Sequence, residues 1–185
     1  MTDSISAARR VAVYCASSIG NNPAYRAEAE ALGSAIAAAG FGLVYGGANS
    51  GLMGAVADAA LAGGVEVIGV LPEVLAGREI AHTGLTRLEL VSSMHERKAR
   101  MVELADALLI LPGGYGTLDE LMEAVTWAQL KIHSKPCVLI NTLGYWDELL
   151  CFLDKAVREG FLKPQYRGLM LVAKDAVEAL GMVRG

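Results

Sequence analysis

A glycine-rich segment, PGGYGTLDE at residues 112–120, is the first place where the residue types suggest chemistry. It separates a run of aliphatic residues from a predicted helix, so Gly113, Gly114 and Gly116 would let the main chain approach a ligand closely. Thr117 would begin the helix, whose first N–H groups lack partners within the helix and attract an anion. The segment therefore predicts a phosphate cradle without the lysine of a P-loop.

Glu120, at the end of this segment, has two explanations. Thr117 and Glu120 match a capping box, in which the carboxylate serves only the start of the helix. Alternatively, the phosphate of a phosphorylated sugar would bind the amides, and Glu120 would reach the ribose or the bond at its first carbon. The residues alone leave both explanations open.

A second segment, SSMHERKARM at residues 92–101, follows another predicted strand. Ser93 and Glu96 match a capping box. Arg97 comes a few residues after the strand end, where a guanidinium can bind a phosphate or a sugar hydroxyl. The alternative interpretation is an ordinary solvated basic face of a helix.

A third segment, YGGANSGLMG at residues 45–54, makes Gly46, Gly47, Ser50 and Gly51 candidates for a phosphate loop. It joins a predicted strand to a helix, as anion-binding glycine loops do. A dinucleotide fold, however, has its glycines after the first strand and an acidic residue at the end of the second, and this chain has neither. A tight turn with close helix–sheet packing is the alternative.

The elements that would position these segments alternate regularly along the chain. Short β-rich runs are separated by helical patterns of ten or more residues, which predicts an α/β fold whose parallel sheet has helices on both faces. The predicted strands are 11–16, 41–45, 65–71, 87–91, 107–111 and 136–141; the predicted helices are 23–39, 51–61, 93–104, 117–131 and 146–159, with a loop and short helix at 73–84 and a further strand and helix in the tail. All three segments fall at strand ends, where such sheets bind ligands.

Composition limits the classes of protein to which the chain can belong. A length of 185 residues suggests a single domain over residues 1–185. Hydrophobic residues make up 54% and charged residues 19%, which fits a doubly covered sheet and an apolar face buried against another subunit. The net charge of −4 argues against a nucleic-acid partner. No apolar run is long enough to span a membrane, and the first residues do not resemble a signal peptide, so we expect a cytoplasmic protein.

Cysteine and histidine residues give no indication of a metal site or disulfide. Cys15, Cys137 and Cys151 lie far apart among aliphatic residues, which predicts buried, reduced thiols. The three histidines are scattered without metal-ligand spacing. We therefore expect neither a metal nor a cofactor.

Taken together, the segments resemble the "lonely guy" family, the cytokinin riboside 5′-monophosphate phosphoribohydrolases. PGGYGTLDE fits the family's PGGxGTxxE motif, and MHERKARM fits its second motif with an Arg-Lys pair. The surrounding GGANSGLMG, VIGVLP and VTWAQLKIHSKP are also similar, so the resemblance runs from about residue 11 to the C-terminal helix.

The resemblance implies a Rossmann-like nucleotide-monophosphate-binding domain, usually a homodimer, that hydrolyses the N-glycosidic bond of adenine nucleotides, often N6-prenylated. It implies that Arg97 and Glu120 are the catalytic pair. It also implies a larger set of substrate-binding residues: Glu79, Lys98, Gly114, Tyr115, Gly116, Thr117, Leu118, Asp119 and Thr126. Asp119 is often Glu in relatives, which preserves the charge.

Two other functions remain open on the sequence. A nucleotide or phosphate sensor on the same fold would bind without hydrolysing, although the presence of both Arg97 and Glu120 argues against it. A lysine decarboxylase, a label often attached to this family, would need a lysine that forms a Schiff base with pyridoxal phosphate. Lys98, Lys131 and Lys135 show no such setting in the sequence.

Overall fold

A computed structural model describes residues 9–76 and 81–184. The strands in these ranges are β1 Arg10–Tyr14, β2 Gly42–Tyr45, β3 Val67–Pro72, β4 Arg87–Val91, β5 Ala107–Ile110, β6 Cys137–Ile140 and β7 Met170–Ala173. The helices are α1 Pro23–Ala38, α2 Gly51–Ala62, α3 Glu73–Ala76, α4 Met94–Leu104, α5 Tyr115–Gln129, α6 Asp147–Arg158, α7 Pro164–Arg167 and α8 Ala176–Val183, with a 3-10 turn at Thr142–Gly144.

The seven strands form one parallel sheet in the order β4-β3-β2-β1-β5-β6-β7. The predicted α/β class with a parallel sheet is confirmed. The chain builds outward from β1 to β4 and then returns to place β5 on the other side of β1. The carboxyl ends of β1 and β5 therefore flank the point where the strand order reverses, which is where open α/β sheets bind ligands.

Helices cover both faces of the sheet because successive strand residues point to opposite sides. In β1, Val11 and Val13 pack with α1, α2 and α8, whereas Ala12 and Tyr14 pack with α4 and α5 on the other face. Both clusters consist of aliphatic and aromatic side chains that are almost fully buried, among them Leu32 on α1. This double covering explains the apolar composition of the strands.

Helix boundaries differ from the prediction mainly at α5. The helix begins at Tyr115 with Gly114 as its N-cap, two residues before the predicted start at Thr117. Thr117 therefore lies inside the first turn and is not the cap. The capping-box explanation for Glu120 is wrong, because that motif requires the carboxylate three residues after the cap.

The cysteine prediction is confirmed for two residues and wrong for the third. Cys15 and Cys137 are buried free thiols, whereas Cys151 is free but exposed. Cys151 lies on α6, which has no fully buried residue. None of the helices within residues 9–76 and 81–184 has both the length and the apolar character required to cross a membrane.

Candidate active site

A cavity of about 290 Å³ opens at the carboxyl ends of β1 and β5. The loop after β1, the first turn of α5, and side chains from α2 and α4 form its walls. Its lining residues are Cys15, Ala16, Ser17, Ser18, Met53, Met94, Arg97, Gly114, Tyr115, Gly116, Thr117 and Glu120. Of the residues predicted for the site, Arg97, Glu120 and the segment from Gly114 to Thr117 are thus brought together.

The Arg97 side chain is buried and hydrogen-bonded to the main chain. It is 6% exposed, its Nε donates to the carbonyl oxygen of Val70 at 3.1 Å, and its Nη2 donates to that of Gly46 at 3.2 Å. These carbonyls lie in β3 and directly after β2, so two strands of the sheet orient the guanidinium. The remaining nitrogen, Nη1, donates to Sδ of Met94 at 3.9 Å and lies 4.0 Å from Oε1 of Glu120.

Gly46 is required for this placement of Arg97. A Cβ added to Gly46 would lie 1.9 Å from Nη2 of Arg97 and 2.9 Å from Sδ of Met53. Its backbone dihedral angles do not demand glycine, since φ is not in the left-handed region. The glycine is therefore needed for the space that the guanidinium occupies.

Glu120 lies on the cavity wall, one helical turn after the start of α5, and is 8% exposed. Its carboxylate faces the fixed cation of Arg97 in a largely buried setting, where charges interact more strongly than in water. An ionised carboxylate beside an open cavity can stabilise positive charge on a ligand or accept a proton from water. Because the capping box is excluded, the role at the ribose remains as the predicted explanation for Glu120.

The first turn of α5 is the predicted anion cradle. The N–H groups at the start of a helix have no partner within the helix and carry a partial positive charge. Among the described residues, no atom would lie within 4 Å of a Cβ added to Gly114 or Gly116, so this part of the structure leaves the space above these glycines open. Gly113 is different, because its Cβ would lie 2.0 Å from Oγ1 of the buried Thr117. Gly114 and Gly116 therefore face the space where a ligand would lie, whereas Gly113 packs against Thr117.

The other glycine-rich segment, residues 45–54 between β2 and α2, is arranged differently. In α2, the amide of Leu52 donates to the carbonyl of Ala16 at 3.1 Å, and the amide of Met53 donates to the same carbonyl at 3.4 Å. Gly51 lets the loop after β1 come this close, since its Cβ would lie 2.2 Å from the carbonyl carbon of Ser17. The first-turn amides of α2 are thus already used within the chain.

The four phosphate-loop candidates consequently surround the site without lining the cavity. Gly46 supplies a carbonyl to Arg97, and Gly51 packs against the loop after β1. Gly47 has a φ of 82° and lies against Leu71. Ser50 is the exposed N-cap of α2 and makes no side-chain capping bond. Their geometry fits support of the site better than direct contact with a phosphate.

Lys98 and Asp119 form an ion pair beside the cavity and do not line it. Nζ of Lys98 lies 2.9 Å from Oδ2 of Asp119 and 3.0 Å from Oε2 of Glu123. Burial lowers the pKa of Lys98, but the hydrogen bonds that its amine donates to the two carboxylates, together with their negative charges, outweigh this effect, and the pKa is raised overall. The amine is therefore a permanent cation held by α5.

Three further predicted substrate residues lie away from the cavity or outside the described part of the chain. Leu118 is half-buried against the core on the α4–α5 face of the sheet. Thr126 is exposed on α5, six residues beyond Glu120, which turns it to another side of the helix. Glu79 lies outside the described residues. Their roles in substrate binding stay predictions.

The sequence reasoning missed the β1 loop and two methionines that line the cavity. Ser17 and Ser18 directly follow the first predicted strand, so their place at the carboxyl edge of the sheet was a usable signal. Met53 and Met94 gave no signal, because methionine more often fills a core. Cys15 lies in the cavity wall, but burial raises the pKa of its thiol well above the usual range, which keeps it protonated.

Comparison with known proteins identifies the family. The probable cytokinin riboside 5′-monophosphate phosphoribohydrolase LOGL9 of Oryza sativa subsp. japonica is 51% identical over 168 residues, covering 91% of this chain and 74% of that protein. LOG1 of Arabidopsis thaliana, a cytokinin riboside 5′-monophosphate phosphoribohydrolase, is 47% identical over 170 residues, covering 92% and 80%. This chain belongs to the cytokinin riboside 5′-monophosphate phosphoribohydrolase family. The predicted family resemblance is confirmed.

Two solved structures share the fold of this chain. The molybdenum cofactor carrier protein of Chlamydomonas reinhardtii superposes with a TM-score of 0.70 at 22% identity, covering 96% of each chain. The molybdenum cofactor binding protein of Rippkaea orientalis superposes with a TM-score of 0.72 at 20% identity, covering 97% of this chain and 98% of that one. At such low identity the similarity concerns the Rossmann-like fold alone.

A family profile described as "possible lysine decarboxylase" also matches, over residues 53–183. The cavity does not suit that chemistry, since no lysine lines it. Lys98 is paired with two carboxylates, and Nζ of Lys135 donates to the main-chain carbonyls of Val102 and Glu103. A Schiff-base lysine must lose its proton, which the raised pKa of Lys98 opposes. A pyridoxal group therefore does not fit the residues of this site.

Within residues 9–76 and 81–184, no three His, Cys, Asp or Glu side chains come together in a way that could hold a metal ion.

Proposed function

We propose that the protein hydrolyses the N-glycosidic bond of adenine-type nucleoside 5′-monophosphates, N6-prenylated cytokinin nucleotides or AMP, and releases the free base and ribose 5-phosphate. One observation carries the proposal: a single cavity joins the open first turn of α5 to the Arg97–Glu120 pair. The names of the relatives in rice and Arabidopsis point to the same reaction.

The cavity offers one place for the phosphate of a sugar phosphate and another for its ribose ring. The phosphate would accept hydrogen bonds from the first-turn amides of α5 around Gly114 and Gly116. Glu120 comes four residues after Gly116, which places it about 6 Å further along the helix axis. A ribose bound by its phosphate would thus lie across the cavity with its ring near the carboxylate.

The reaction follows from the charges in the cavity. As the bond from the first ribose carbon to the base nitrogen breaks, its electron pair leaves with the base, and positive charge develops on the sugar. The carboxylate of Glu120 stabilises this charge and accepts a proton from the attacking water, whose oxygen forms the new bond to the sugar carbon. The base nitrogen gains a proton, which completes the balance.

Arg97 has a local role in this proposal. Because two of its nitrogen atoms are bound to Gly46 and Val70, the guanidinium cannot swing toward a phosphate without losing both bonds. It would instead orient the carboxylate of Glu120 and offer Nη1 to the ribose or the departing base.

The proposal is tested by incubating the purified protein separately with AMP and with N6-isopentenyl-AMP and separating the products by chromatography. Free base and ribose 5-phosphate from either nucleotide would support it, and the relative rates would identify the preferred substrate. Intact nucleotide in both reactions, with tight binding by calorimetry, would instead support the non-catalytic sensor. Lysine with pyridoxal phosphate serves as the negative control for decarboxylation.

Gly116→Ala is expected to stabilise the fold and weaken substrate binding. Within a helix, alanine is more favourable than glycine by about 0.5–1 kcal/mol, and none of the described residues crowds this position. The new methyl group would occupy the space needed by the phosphate, and losing hydrogen bonds to a charged group raises KM about tenfold or more. Thermal unfolding and steady-state kinetics measure the two effects.

Gly181→Ala is the matched control for that variant. Gly181 is also an exposed helical glycine, and no described atom would lie within 4 Å of its added Cβ, but it lies on α8. We expect the same stabilisation without any change in KM. An unaltered KM in Gly116→Ala would show that the phosphate does not lie over this turn.

We further propose a homodimer in the cytoplasm. Large apolar side chains on α6 and in the segment after it are exposed, with Phe152 at 64% and Phe161 at 90%. A second copy of the chain would bury such a surface. All three cysteines are free thiols, as is usual in the cytoplasm.

Light scattering at micromolar concentration tests the dimer. We expect the mass of two chains for the wild type and a shift toward one chain in Phe152→Glu, because a charge at the interface opposes association. A monomeric wild-type protein would contradict the proposal.

A further inference from the structure

Lys98 of α4 is buried between two carboxylates of α5. Lys98 is only 5% exposed, and its Nζ lies 2.9 Å from Oδ2 of Asp119 and 3.0 Å from Oε2 of Glu123. Asp119 and Glu123 are four residues apart, so they lie on the same side of the helix, one turn from each other. One amine thus binds two successive turns of α5.

The residues of these ion pairs are neighbours of Arg97 and Glu120 in α4 and α5. Lys98 directly follows Arg97 in α4. Asp119 directly precedes Glu120 in α5, and Glu123 comes three residues after it, so the two carboxylates bracket Glu120 along the helix. Any shift of α5 relative to α4 that changes the 4.0 Å separation of Arg97 and Glu120 would also disturb these ion pairs.

We infer that Glu123, together with Lys98 and Asp119, is a positioning residue that holds α5 in register with α4 and thereby places Glu120 against the substrate. The inference rests on the proposed hydrolase function. It assigns Glu123 a role that the family motifs do not indicate, and it makes Lys98 act through the protein and not through contact with the nucleotide.

The arrangement of Lys98 disfavours direct contact with the substrate. The amine does not line the cavity, and both of its acidic partners lie on α5. To reach a phosphate, it would have to leave Glu123, which is half-buried, without a counter-charge. Separating a buried charge from its partner is strongly unfavourable.

The experiment compares Glu123→Gln, Lys98→Met and the double variant in steady-state kinetics with the nucleotide that the wild type cleaves. We expect kcat to fall about 10- to 100-fold in each single variant, because a displacement of about 1 Å at a catalytic group costs up to that much. We expect KM to stay within about threefold, since the phosphate cradle is intact. The double variant should lose no more than Lys98→Met alone, because the residues act as one unit.

Glu103→Gln is the matched control on α4. Glu103 pairs with Arg100 at 2.8 Å, and its side chain is 70% exposed. This ion pair includes neither Lys98 nor its two acidic partners. We expect its kcat and KM to equal those of the wild type. Thermal unfolding of every variant separates a loss of fold from a loss of turnover.

The outcomes separate this inference from the proposed function. If the wild type releases no base, the proposed function fails, and the positioning role fails with it. If the wild type is active but Glu123→Gln retains its kcat, even with a lower unfolding temperature, the pair is only structural. A large rise in KM at unchanged kcat in Lys98→Met would mean that the amine binds the nucleotide directly. Either of the last two results overturns the positioning role of Glu123 and leaves the proposed hydrolase function intact.

Discussion

Glu120→Gln is expected to lower kcat by about 10²–10⁴-fold while leaving nucleotide affinity within about threefold. The amide has nearly the same shape as the carboxylate but carries no charge and cannot accept a proton. Stabilisation of positive charge on the sugar and activation of water are both lost, whereas the amides of α5 still bind the phosphate. Single-turnover product release and calorimetric titration measure the two quantities.

A distant carboxylate provides the control for that substitution. Glu30 lies on α1, where it pairs with Arg26 at 2.8 Å on the surface. Glu30→Gln removes the same charge from the protein, and we expect kcat to be unchanged, because exposed ion pairs contribute little. Full turnover in Glu120→Gln would mean that another group performs the reaction. A matching loss of affinity would mean that Glu120 mainly binds the nucleotide.

Gly46→Ala is expected to lower kcat/KM by on the order of 10²-fold, although it changes no charged or hydrogen-bonding side chain. The new Cβ would overlap Nη2 of Arg97, so the guanidinium must leave the carbonyl of Gly46 and move relative to Glu120. The position tolerates alanine in its backbone conformation. Kinetics combined with circular dichroism and thermal unfolding would separate the displaced arginine from a misfolded protein.

Two further variants make this result interpretable. Gly181→Ala adds the same methyl group away from the cavity and should keep wild-type kinetics. Arg97→Met removes the guanidinium and should impair turnover at least as much as Gly46→Ala. If Gly46→Ala were fully active, the anchoring of Arg97 on this carbonyl would be irrelevant to the reaction.

Much of the architecture was predictable because its signals are local. The alternation of β-rich runs with helical patterns predicted the parallel sheet, and the glycines at strand ends predicted where ligands would bind. The start of α5 was misplaced because Tyr115 and Gly116 carry weak helical signals, whereas Thr117 matches a cap. That small shift decided whether Glu120 was a cap or a candidate for catalysis.

The two glycine loops could not be told apart in the sequence. Each follows a strand and opens a helix, so each predicts an anion site. In the structure the loop after β1 occupies the amides of Leu52 and Met53 at the start of α2, whereas the space above Gly116 on α5 stays open. Which loop lies beside which depends on strand order, and no local pattern encodes strand order.

Residue order alone was thus enough for the fold class, the edge of the sheet that carries the site and the motifs that identify the family, because periodicity and turn chemistry act over a few residues. Tertiary structure alone decided that Arg97 is fixed by Gly46 and Val70, and that Lys98 is bound to Glu123. These contacts join residues that are between 25 and 51 positions apart in the chain. They exist only once the sheet has brought separate strand ends and helices together.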